Sequence, residues 1–460
     1  MATTISSDIY AEHATKASAY DYHITYNFGT TVESADSIGY PNIIQVYPDD
    51  SYSPKKGYGF LTEEIRKGDS KLSAEQLNDG FITWPWHTDS RLITPAADEN
   101  GVYLENGIVD GGYVPLTFKA HVPKQGNYKV TLVLSAGDTP INGVTIFSGR
   151  RRLESLKGDY CPHEVRAYVF NVNVCDVVID GQLVKDNDLE ITIIGNRPVF
   201  TSLTIEEVDT PTIFIAGGSA VADQPACYPY RPEISRCGFG QFFSYYVSNL
   251  AASSNLAAID ASTESFMNDD HYTLLKSSMK KNDFCLLHFG LEDFTTGVDA
   301  KTTYTKNLEK YIKDIQSLGA TALVATPVAR NTWNEDGTYN DILADYAEEC
   351  KKVAAKTGCP LIDLHTVSMD FIIRNGKQST ARYFYPDSEY YLNDFGAYIM
   401  AGYTAKEIKK YRETCPIPIR TSLCGKVYDE ALNSKRAMTM EELMESDNYV
   451  PPMNISLPTA

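Results

Sequence analysis

Ser219 is the residue of this sequence that is best placed to act as a nucleophile. It follows the apolar segment 212–217 and a Gly-Gly turn, an arrangement that exposes a hydroxyl at the edge of a sheet. Attack by this hydroxyl on an ester carbonyl would need a neighbouring base and hydrogen-bond donors for the developing oxyanion. The segment does not fit the Gly-x-Ser-x-Gly elbow, because Val221 stands where the second glycine should be. Taken alone, Gly-Gly-Ser also fits an ordinary turn.

His365 and His288 are the histidines that could serve Ser219 as a base. His365 comes just after a predicted strand, and His288 lies within another. Histidines at strand ends also satisfy local hydrogen bonds, so both interpretations stay open for His365. His271 follows two aspartates and is better explained as the start of a capped helix. The sequence contains no H-E-x-x-H, P-loop or G-x-G-x-x-G motif, and we expect neither a metal nor a cofactor.

The elements that must position these residues are strands and helices that alternate from residue 211 onward. Strands are predicted at 212–217, 256–260, 284–290, 320–326 and 360–364, and helices near 239–250, 271–280, 304–318, 342–356 and 396–411. Five buried strands with intervening helices predict an α/β fold, a parallel five-stranded sheet covered on both faces. Ligands bind such sheets outside the carboxyl ends of the strands, where Ser219 is expected.

The preceding region, residues 21–209, has period-two alternation instead. Half-buried strands are predicted at 115–120, 128–134, 165–172 and 189–194. Short strands separated by turn residues predict an antiparallel β-sandwich. The predicted organisation is therefore an N-terminal extension (1–20), a β-sandwich (21–209), an α/β domain (210–411) and a proline-containing C-terminal tail (412–460). The basic run 150–152 is interpreted as a solvated turn, with a uronate or the second domain as alternative partners.

Composition limits the classes of partner. Among 460 residues, 60 are acidic and 41 basic, which gives a formal charge of −19 and argues against nucleic acid or anionic lipid. No apolar run approaches the roughly 18 residues that span a bilayer. The N-terminus lacks a secretory signal, and the nine cysteines form no C-x-x-C pair, so we expect a cytoplasmic protein with reduced thiols. A pair between Cys415 and Cys424 is the alternative in an oxidising compartment.

The segment around Ser219, Pro211-Thr-Ile-Phe-Ile-Ala-Gly-Gly-Ser-Ala-Val-Ala-Asp, resembles the first block of the SGNH, or GDSL, hydrolases in the form found in rhamnogalacturonan acetylesterases. Further blocks of that subfamily follow in order and spacing: Tyr228-Pro-Tyr, Gly238-Phe-Gly-Gln, Ala261-Ser-Thr-Glu-Ser-Phe, Phe289-Gly-Leu-Glu-Asp, Thr326-Pro-Val-Ala-Arg, Leu361-Ile-Asp-Leu and Asn393-Asp-Phe-Gly-Ala-Tyr. The resemblance covers about residues 20–411. It implies a flavodoxin-like three-layer hydrolase domain preceded by a jelly-roll-like sandwich that resembles carbohydrate-binding domains.

The resemblance also implies which positions should carry the chemistry. In the family, a serine attacks, the oxyanion is held by the serine amide, a glycine amide and an asparagine side chain, and an Asp-x-x-His pair supplies the base. Only the serine is retained here, as Ser219. The aspartate of Gly-Asp-Ser is replaced by Gly218, and the second-block glycine aligns with Asp260 or Ala261.

The two remaining blocks also differ from the family's pattern, and both differences remove a group that the reaction needs. Gly-His-Asn-Asp reads Gly-Leu-Glu-Asp, which places Leu291 and Glu292 at the histidine and asparagine positions and exchanges a donor for an acceptor. Asp-x-Thr-His falls on Ser388-Glu-Tyr-Tyr391, so a tyrosine replaces the histidine. Losing one oxyanion donor costs roughly 10²- to 10³-fold, so ordinary Ser-His hydrolysis should be close to absent. Two residues remain for a rescue of the serine: Asp387, one position before the aligned aspartate, could act as an orienter but would have no aligned histidine to orient, and His365 could act as a base.

These departures leave two main hypotheses and a minor one. The first is a degenerate, non-hydrolytic relative that binds a glycan or a protein partner in the retained cleft. The second is an active carbohydrate O-acetylesterase on acetylated pectic oligosaccharides, in which Ser219 uses an unconventional base. An acceptor within about 3.2 Å of the Ser219 hydroxyl would favour the second. The third is a structural role in which the tail joins subunits of a homo-oligomer.

Overall fold

The structure is a computed structural model that describes residues 22–29, 42–61, 95–179, 181–420 and 423. The proposed N-terminal extension, most of the proposed tail and the Cys415–Cys424 pairing lie wholly or partly outside these residues. The eight cysteines that the structure describes are all free thiols.

The front part of the chain is built from β-strands, because its apolar side chains alternate with polar ones. Its described strands are β1 (His23–Phe28), β2 (Ile43–Val46), β3 (Tyr58–Phe60), β4 (Ala96–Asp98), β5 (Gly101–Tyr103), β6 (Ile108–Val109), β7 (Gly112–Tyr113), β8 (Leu116–His121), β9 (Gly126–Ser135), β10 (Ile141–Ser148), β11 (Arg152–Tyr160), β12 (Val165–Val174), β13 (Val177–Ile179), β14 (Gln182–Val184), β15 (Asp188–Ile194), β16 (Val199–Phe200) and β17 (Ser202–Val208).

Two facing layers enclose the front core. One layer has the order β2-β1-β17-β9-β12, and the other has the order β11-β10-β15-β8-β3. All pairs in these layers are antiparallel except β1 with β2. Aromatic side chains such as Phe28, Phe118 and Phe200 pack between the layers. The prediction of antiparallel sheets in this region is confirmed.

The second part contains the parallel strands and the helices. Its strands are β18 (Thr212–Gly217), β19 (Ala252–Asn255), β20 (Phe284–His288), β21 (Thr321–Ala325) and β22 (Leu361–Ile362). Its described α-helices are α1 (Phe239–Phe243), α2 (Thr263–Met267), α3 (Asp270–Ser278), α4 (Leu291–Thr296), α5 (Thr305–Ser317), α6 (Ala344–Thr357), α7 (Leu364–Ala381) and α8 (Asp394–Lys409). Short 3₁₀ turns lie at Pro232–Ile234 and Ser244–Tyr246, and a π-helical turn lies at Ala300–Tyr304.

The parallel strands follow the order β19-β18-β20-β21-β22. In chain order this is 2-1-3-4-5, so the strand order reverses between β18 and its neighbours. Ligands of open α/β sheets bind at such a switch point, beyond the carboxyl ends of the strands. The expected parallel portion of the sheet is confirmed.

The two parts of the chain share one sheet and one hydrophobic cluster. Strand β19 also pairs in parallel with β12 of the front part, through Val172 and Ser253, so a ten-stranded mixed sheet crosses the predicted boundary at 209/210. Phe147 and Leu153 of the front part pack in the same cluster as the α1 and α8 side chains. The arrangement therefore holds the two parts together through backbone pairing and apolar burial.

The basic run 150–152 joins the two parts. The Arg151 guanidinium is 1% exposed and lies 3.0 Å from Asp394, at the start of α8. Arg150 Nε lies 3.6 Å from an Asp223 carboxylate oxygen, and Arg152 donates to the backbone of β19. The interpretation of this run as a solvated turn is therefore wrong, because burial against the second part of the chain gives these cations fixed acceptors.

The main error in the sequence-based strand positions is β19. The sequence predicted a strand at 256–260, whereas the observed strand is Ala252–Asn255. Ser253, Ser254 and Asn255 are buried although they are polar, because their groups bond to Arg152, Cys175 and Asp223. A hydrophobicity pattern cannot mark a strand whose buried face is polar. The long helix α7 was also missed, and Gly376 with φ of 73° interrupts it.

Candidate active site

Ser219 lies just beyond the carboxyl end of β18, at the switch point of the parallel sheet. The amides of Val221 and Ala222 both donate to the Gly218 carbonyl at 3.1 Å, which closes the turn. Gln224 Nε2 donates to the Ser219 carbonyl at 3.0 Å and fixes the turn from the other side. Ser219 is 2% exposed, so the turn holds a buried hydroxyl.

The Ser219 hydroxyl is paired with Asp260. It donates to Asp260 Oδ1 at 3.1 Å, and the Asp260 amide donates to the same hydroxyl oxygen at 2.8 Å. Asp260 has φ of 59°, the left-handed region that favours glycine. Of the two residues that align with the family's glycine, Asp260 therefore has the backbone geometry of a glycine position. Ala261 is buried, and its carbonyl faces Gly218.

Glu292 accepts a hydrogen bond from the backbone amide of the serine turn. The Ser219 amide donates to Glu292 Oε1 at 3.0 Å. The second oxygen, Glu292 Oε2, fills the space beside Gly218, because a Cβ built on residue 218 would overlap it. Glu292 therefore needs glycine at 218, and an aspartate at that position would collide with it.

The charge of Glu292 is balanced at a distance by Arg330. Burial raises the pKa of Glu292, while hydrogen bonds from Ser219 and the positive charge of Arg330 oppose the rise. Arg330 is 1% exposed and donates through Nη1 to the Tyr390 carbonyl at 2.6 Å. Its Nε and Nη2 have no hydrogen-bond partner within the described residues. A buried cation thus stands near the buried acid without touching it.

Tyr391, the residue expected from the resemblance to replace the family's histidine, lies close to this cluster. Burial raises the pKa of its phenol, and the nearby Asp260 and Glu292 carboxylates raise it further. A phenol with a raised pKa stays protonated near neutrality and is a poor base. The Arg236 guanidinium covers its ring at 4.5 Å, and the Tyr391 amide donates to Ser388 Oγ at 2.9 Å. Ser388 therefore caps this loop.

The histidines predicted as bases have other partners. The ring nitrogens of His365 lie 3.0 Å from the Pro327 carbonyl and 2.9 Å from Asp341 Oδ2. His288 Nε2 accepts a hydrogen bond from the Val328 amide at 3.1 Å, and burial lowers the pKa of His288 to about 3. Neither interaction involves Ser219, so the geometry gives no support for rescue by a histidine.

The other predicted positions lie at the edge of the cluster or outside it. Asp387 is exposed and adopts φ of 59° in the loop before Ser388. Leu291 is buried as the first residue of α4. The His271 amide donates to the Asp269 carboxylate that caps α3, which confirms the capping interpretation.

Sequence reasoning missed several polar residues that hold the site together. Asp293 is fully buried and accepts from the Thr263 amide at 2.9 Å, which ties the helix carrying Glu292 to the loop carrying Asp260. Asn255 Nδ2 donates to the Val221 carbonyl at 2.7 Å and supports the serine turn from β19. The available signal was a polar residue beside an apolar run, which is ambiguous without tertiary context.

The described part of the chain has no membrane-length apolar helix. Across the same residues, no group of three histidine, cysteine, aspartate or glutamate side chains is arranged to hold a metal ion.

The arrangement presents a serine whose hydrogen-bonding groups are already engaged. Acyl transfer needs free donors aimed at the position of the oxyanion. The Ser219 amide is bound to Glu292, and the Asp260 amide is bound to the Ser219 hydroxyl. The Asp260 carboxylate is nevertheless within hydrogen-bond reach of the hydroxyl, as a general base would be.

A family model, curated proteins and solved structures resemble this chain. Residues 235–397 match the GDSL-like Lipase/Acylhydrolase family, and the match begins after Ser219. The probable rhamnogalacturonan acetylesterase YesY of Bacillus subtilis is 27% identical over 209 residues, which are 43% of this chain and 92% of that protein. Rhamnogalacturonan acetylesterase RhgT of the same organism is 29% identical over 153 residues, which are 33% of this chain and 64% of that protein.

Solved structures also match. A crystal structure of a lipase/acylhydrolase from Enterococcus faecalis is 16% identical, with a TM-score of 0.33. The match covers 44% of this chain and 96% of the Enterococcus chain. An X-ray structure of protein YxiM from Bacillus subtilis is 17% identical, with a TM-score of 0.44. The match covers 86% of this chain and 100% of the YxiM chain. The family-model match by itself identifies residues 235–397 as a GDSL-like lipase/acylhydrolase domain, and rhamnogalacturonan acetylesterases are among the proteins to which the chain is similar.

Proposed function

We propose that this chain is a non-hydrolytic relative of the rhamnogalacturonan acetylesterases that binds a glycan at the carboxyl edge of its parallel sheet. The observation that carries the proposal is the 3.0 Å hydrogen bond from the Ser219 amide to the Glu292 carboxyl group. An acid at this position occupies a donor that an esterase directs at the oxyanion. The proposal includes the finer architecture, a flavodoxin-like layer arrangement in residues 210–411 and a jelly-roll-like sandwich in residues 21–209.

The magnitudes favour loss of hydrolysis. Removing one oxyanion donor costs roughly 10²- to 10³-fold in kcat, and loss of the catalytic base costs on the order of 10⁶-fold in the subtilisin example. Here one amide donor is occupied, the asparagine is replaced by Glu292, and the histidine is replaced by Tyr391. These losses do not add simply, because the groups act as a unit. They are nevertheless large enough to bring turnover close to the uncatalysed rate.

Glycan binding is supported by the similar proteins and by the location of the site. The names of two similar proteins describe one as a probable rhamnogalacturonan acetylesterase and the other as a rhamnogalacturonan acetylesterase. The switch point that carries Ser219 is the usual ligand position of such sheets. Loss of the chemical step does not require loss of a sugar-binding cleft. A protein partner in the same cleft is the other occupant that the proposal allows.

The proposal is tested by acetate release. The wild-type protein and Ser219→Ala are incubated with an aryl acetate and with acetylated oligogalacturonides. We expect equal background rates, and turnover that depends on Ser219 would overturn the proposal. The triple variant Gly218→Asp, Glu292→Asn and Tyr391→His restores the family's residue types at three of the replaced positions and should gain Ser219-dependent activity if these residues alone are missing.

Binding is tested separately by thermal unfolding with a panel of acetylated and deacetylated pectic oligosaccharides. A ligand present at 100 times its Kd stabilises the folded state by about 2.7 kcal/mol, which is readily measured. A shift with at least one oligosaccharide is expected. No shift across the panel would remove the glycan from the proposal.

A second candidate function rests on Asp260. Its carboxylate lies 3.1 Å from the Ser219 hydroxyl oxygen, which meets the distance expected of a base, so a carboxylate could replace imidazole as the base of a carbohydrate O-acetylesterase. Carboxylates are in general much weaker bases than imidazole, with reference pKa values of about 3.9 and 6.5. In this candidate function the amides of Ser219 and Asp260 are still hydrogen-bonded within the protein, so neither is free to bind the oxyanion.

Two variants separate the candidates. Asp260→Asn keeps the shape of the side chain but removes the base, and Ser219→Ala removes the nucleophile. If the esterase candidate is correct, both variants lose the same acetate-releasing activity. If the non-hydrolytic proposal is correct, neither variant changes the background rate.

A further inference from the structure

A cavity lies where the two parts of the chain meet, next to the serine turn. Its volume is about 430 Å³, within the range of about 300–1,000 Å³ that is typical of small-molecule sites. The segments 172–178 and 186–190 of the front part form one wall, and the segment 255–259 that leads from β19 to Asp260 forms another. Asp223, four residues after Ser219, also lines it. We call this space the junction cavity.

The lining of the junction cavity is rich in ionisable groups of both signs. Its carboxyl groups belong to Asp176, Asp186, Asp188, Glu190, Asp223 and Asp269. Arg150 and Arg152 supply guanidinium donors to the same space. Behind the wall, buried Lys119 pairs with Asp188 at 2.9 Å and with Glu190 at 3.3 Å. Such a surface suits a ligand that both donates and accepts hydrogen bonds, and it does not suit an apolar acyl chain.

Two polar atoms in this lining lack a partner. Arg152 is 6% exposed, and its Nη1 donates to the carbonyls of Asn173 and Ser253 at 3.4 and 3.3 Å. Its Nε has no hydrogen-bond partner in the described chain, and neither has Asn173 Oδ1. A buried donor or acceptor left unpaired costs about 1–3 kcal/mol. Both residues line the junction cavity, and a hydroxyl group, which donates and accepts, is the kind of partner that these two atoms lack.

The carboxyl groups of the lining also limit the charge that a ligand can carry. Burial raises the pKa of Asp186 to about 6 and that of Glu190 to about 7, and neighbouring carboxylates contribute to both shifts. The cavity therefore already penalises negative charge, and the carboxylate of a uronic acid would add to that penalty. An uncharged ligand with several hydroxyl groups avoids this penalty.

We propose that the junction cavity binds a neutral sugar unit, whose hydroxyl groups pair with Arg152, Asn173 and the lining carboxylates. This inference rests on the proposed function, because it specifies which kind of glycan residue is held and where. It also predicts that an acidic sugar, such as galacturonate, is excluded from this space.

Ile259 allows a test that spares the buried groups. It lines the cavity and is 48% exposed, so Ile259→Trp should reduce the cavity volume without disturbing the core. Ile373 on α7 is 46% exposed and lies outside the cavity lining, so Ile373→Trp is the matched control. Binding of methyl α-rhamnopyranoside, methyl α-galactopyranoside and sodium galacturonate is measured by calorimetry or ligand-observed NMR.

We expect at least one neutral glycoside to bind to wild-type protein and to Ile373→Trp, with affinity reduced about tenfold or more in Ile259→Trp. Galacturonate should not compete. Equal binding by Ile259→Trp and wild type, preferential binding of galacturonate, or no binding of either neutral glycoside would overturn the inference. None of these results decides the proposed absence of hydrolysis, which fails instead if acetate release depends on Ser219.

Discussion

Gly218 and Glu292 should behave as an energetically coupled pair. A methyl group added at residue 218 would overlap Glu292 Oε2 and would lie 2.6 Å from the Ala261 carbonyl oxygen. Gly218→Ala must therefore displace the carboxyl group and weaken its hydrogen bond to the Ser219 amide. Overpacking costs about 1–3 kcal/mol and a hydrogen bond to a charged group is worth about 1.5–3 kcal/mol, so we expect a loss of about 2.5–6 kcal/mol if the hydrogen bond is lost.

Shortening the acid should relieve much of this cost. In Glu292→Asn the overlapping oxygen is withdrawn, and Gly218→Ala then meets mainly the Ala261 carbonyl. A double-mutant cycle should give a coupling of at least about 1.5 kcal/mol, because the second substitution no longer removes an intact hydrogen bond. The four proteins are compared by urea unfolding, with the m-value checked for two-state behaviour.

Gly358 provides the control for backbone effects. A Cβ at this glycine would meet nothing within 4 Å, although its φ is 68°, so Gly358→Ala reports conformational cost alone. Its effect should add to that of Glu292→Asn. If Gly218→Ala and Glu292→Asn are also additive within about 0.5 kcal/mol, Glu292 does not occupy the space beside Gly218 and the structural reasoning is refuted.

Three further outcomes follow from the structure. Arg151→Met should lower the free energy of unfolding by about 3–5 kcal/mol, because it leaves Asp394 buried without its cation. The double variant Arg151→Met, Asp394→Leu should lose clearly less of this free energy. Equal losses for the two proteins in urea unfolding would contradict this expectation. Burial raises the pKa of Glu154 and Glu190 to about 7, so their stabilising contribution is complete below about pH 4.5 and is lost as the pH rises through about 7. Stability should therefore be lower at about pH 8 than at about pH 5.5, and Glu154→Gln should reduce that difference; an unchanged difference would argue against the shift. Asp260→Gly should change stability by no more than about 1 kcal/mol because φ is 59°, while the β-branched variant Asp260→Val should lose more, and equal unfolding midpoints would contradict the backbone argument.

Local patterns were sufficient to predict the parallel sheet and the location of Ser219. The strands at Thr212–Gly217, Phe284–His288 and Thr321–Ala325 are apolar runs with short loops, so buried parallel strands were the only consistent interpretation. The position of the serine just after the first strand followed directly. Helices with a strong apolar face, such as Thr305–Ser317, were also located within one or two residues.

The contacts of the serine could not be predicted, because they come from distant segments. Glu292 was identified only as an acceptor in place of a donor, and nothing in the sequence showed that its second oxygen fills the space beside Gly218. Asp260 was considered as a replaced glycine rather than as the partner of the Ser219 hydroxyl. The basic run 150–152 was predicted to be a solvated turn for a similar reason. Its charge does not reveal that Asp394, the buried acceptor of Arg151, lies 243 residues further along the chain.

We propose that Glu292 and Asp260 hold Ser219 in an unreactive state. This proposal is tested by intact-mass spectrometry after incubation with a serine-directed fluorophosphonate, using Ser219→Ala as the blank and the Gly218→Asp, Glu292→Asn, Tyr391→His variant as the reactive comparison. We predict no adduct on the wild-type protein over a period in which the triple variant is labelled. A stoichiometric adduct on wild-type Ser219 would contradict the account.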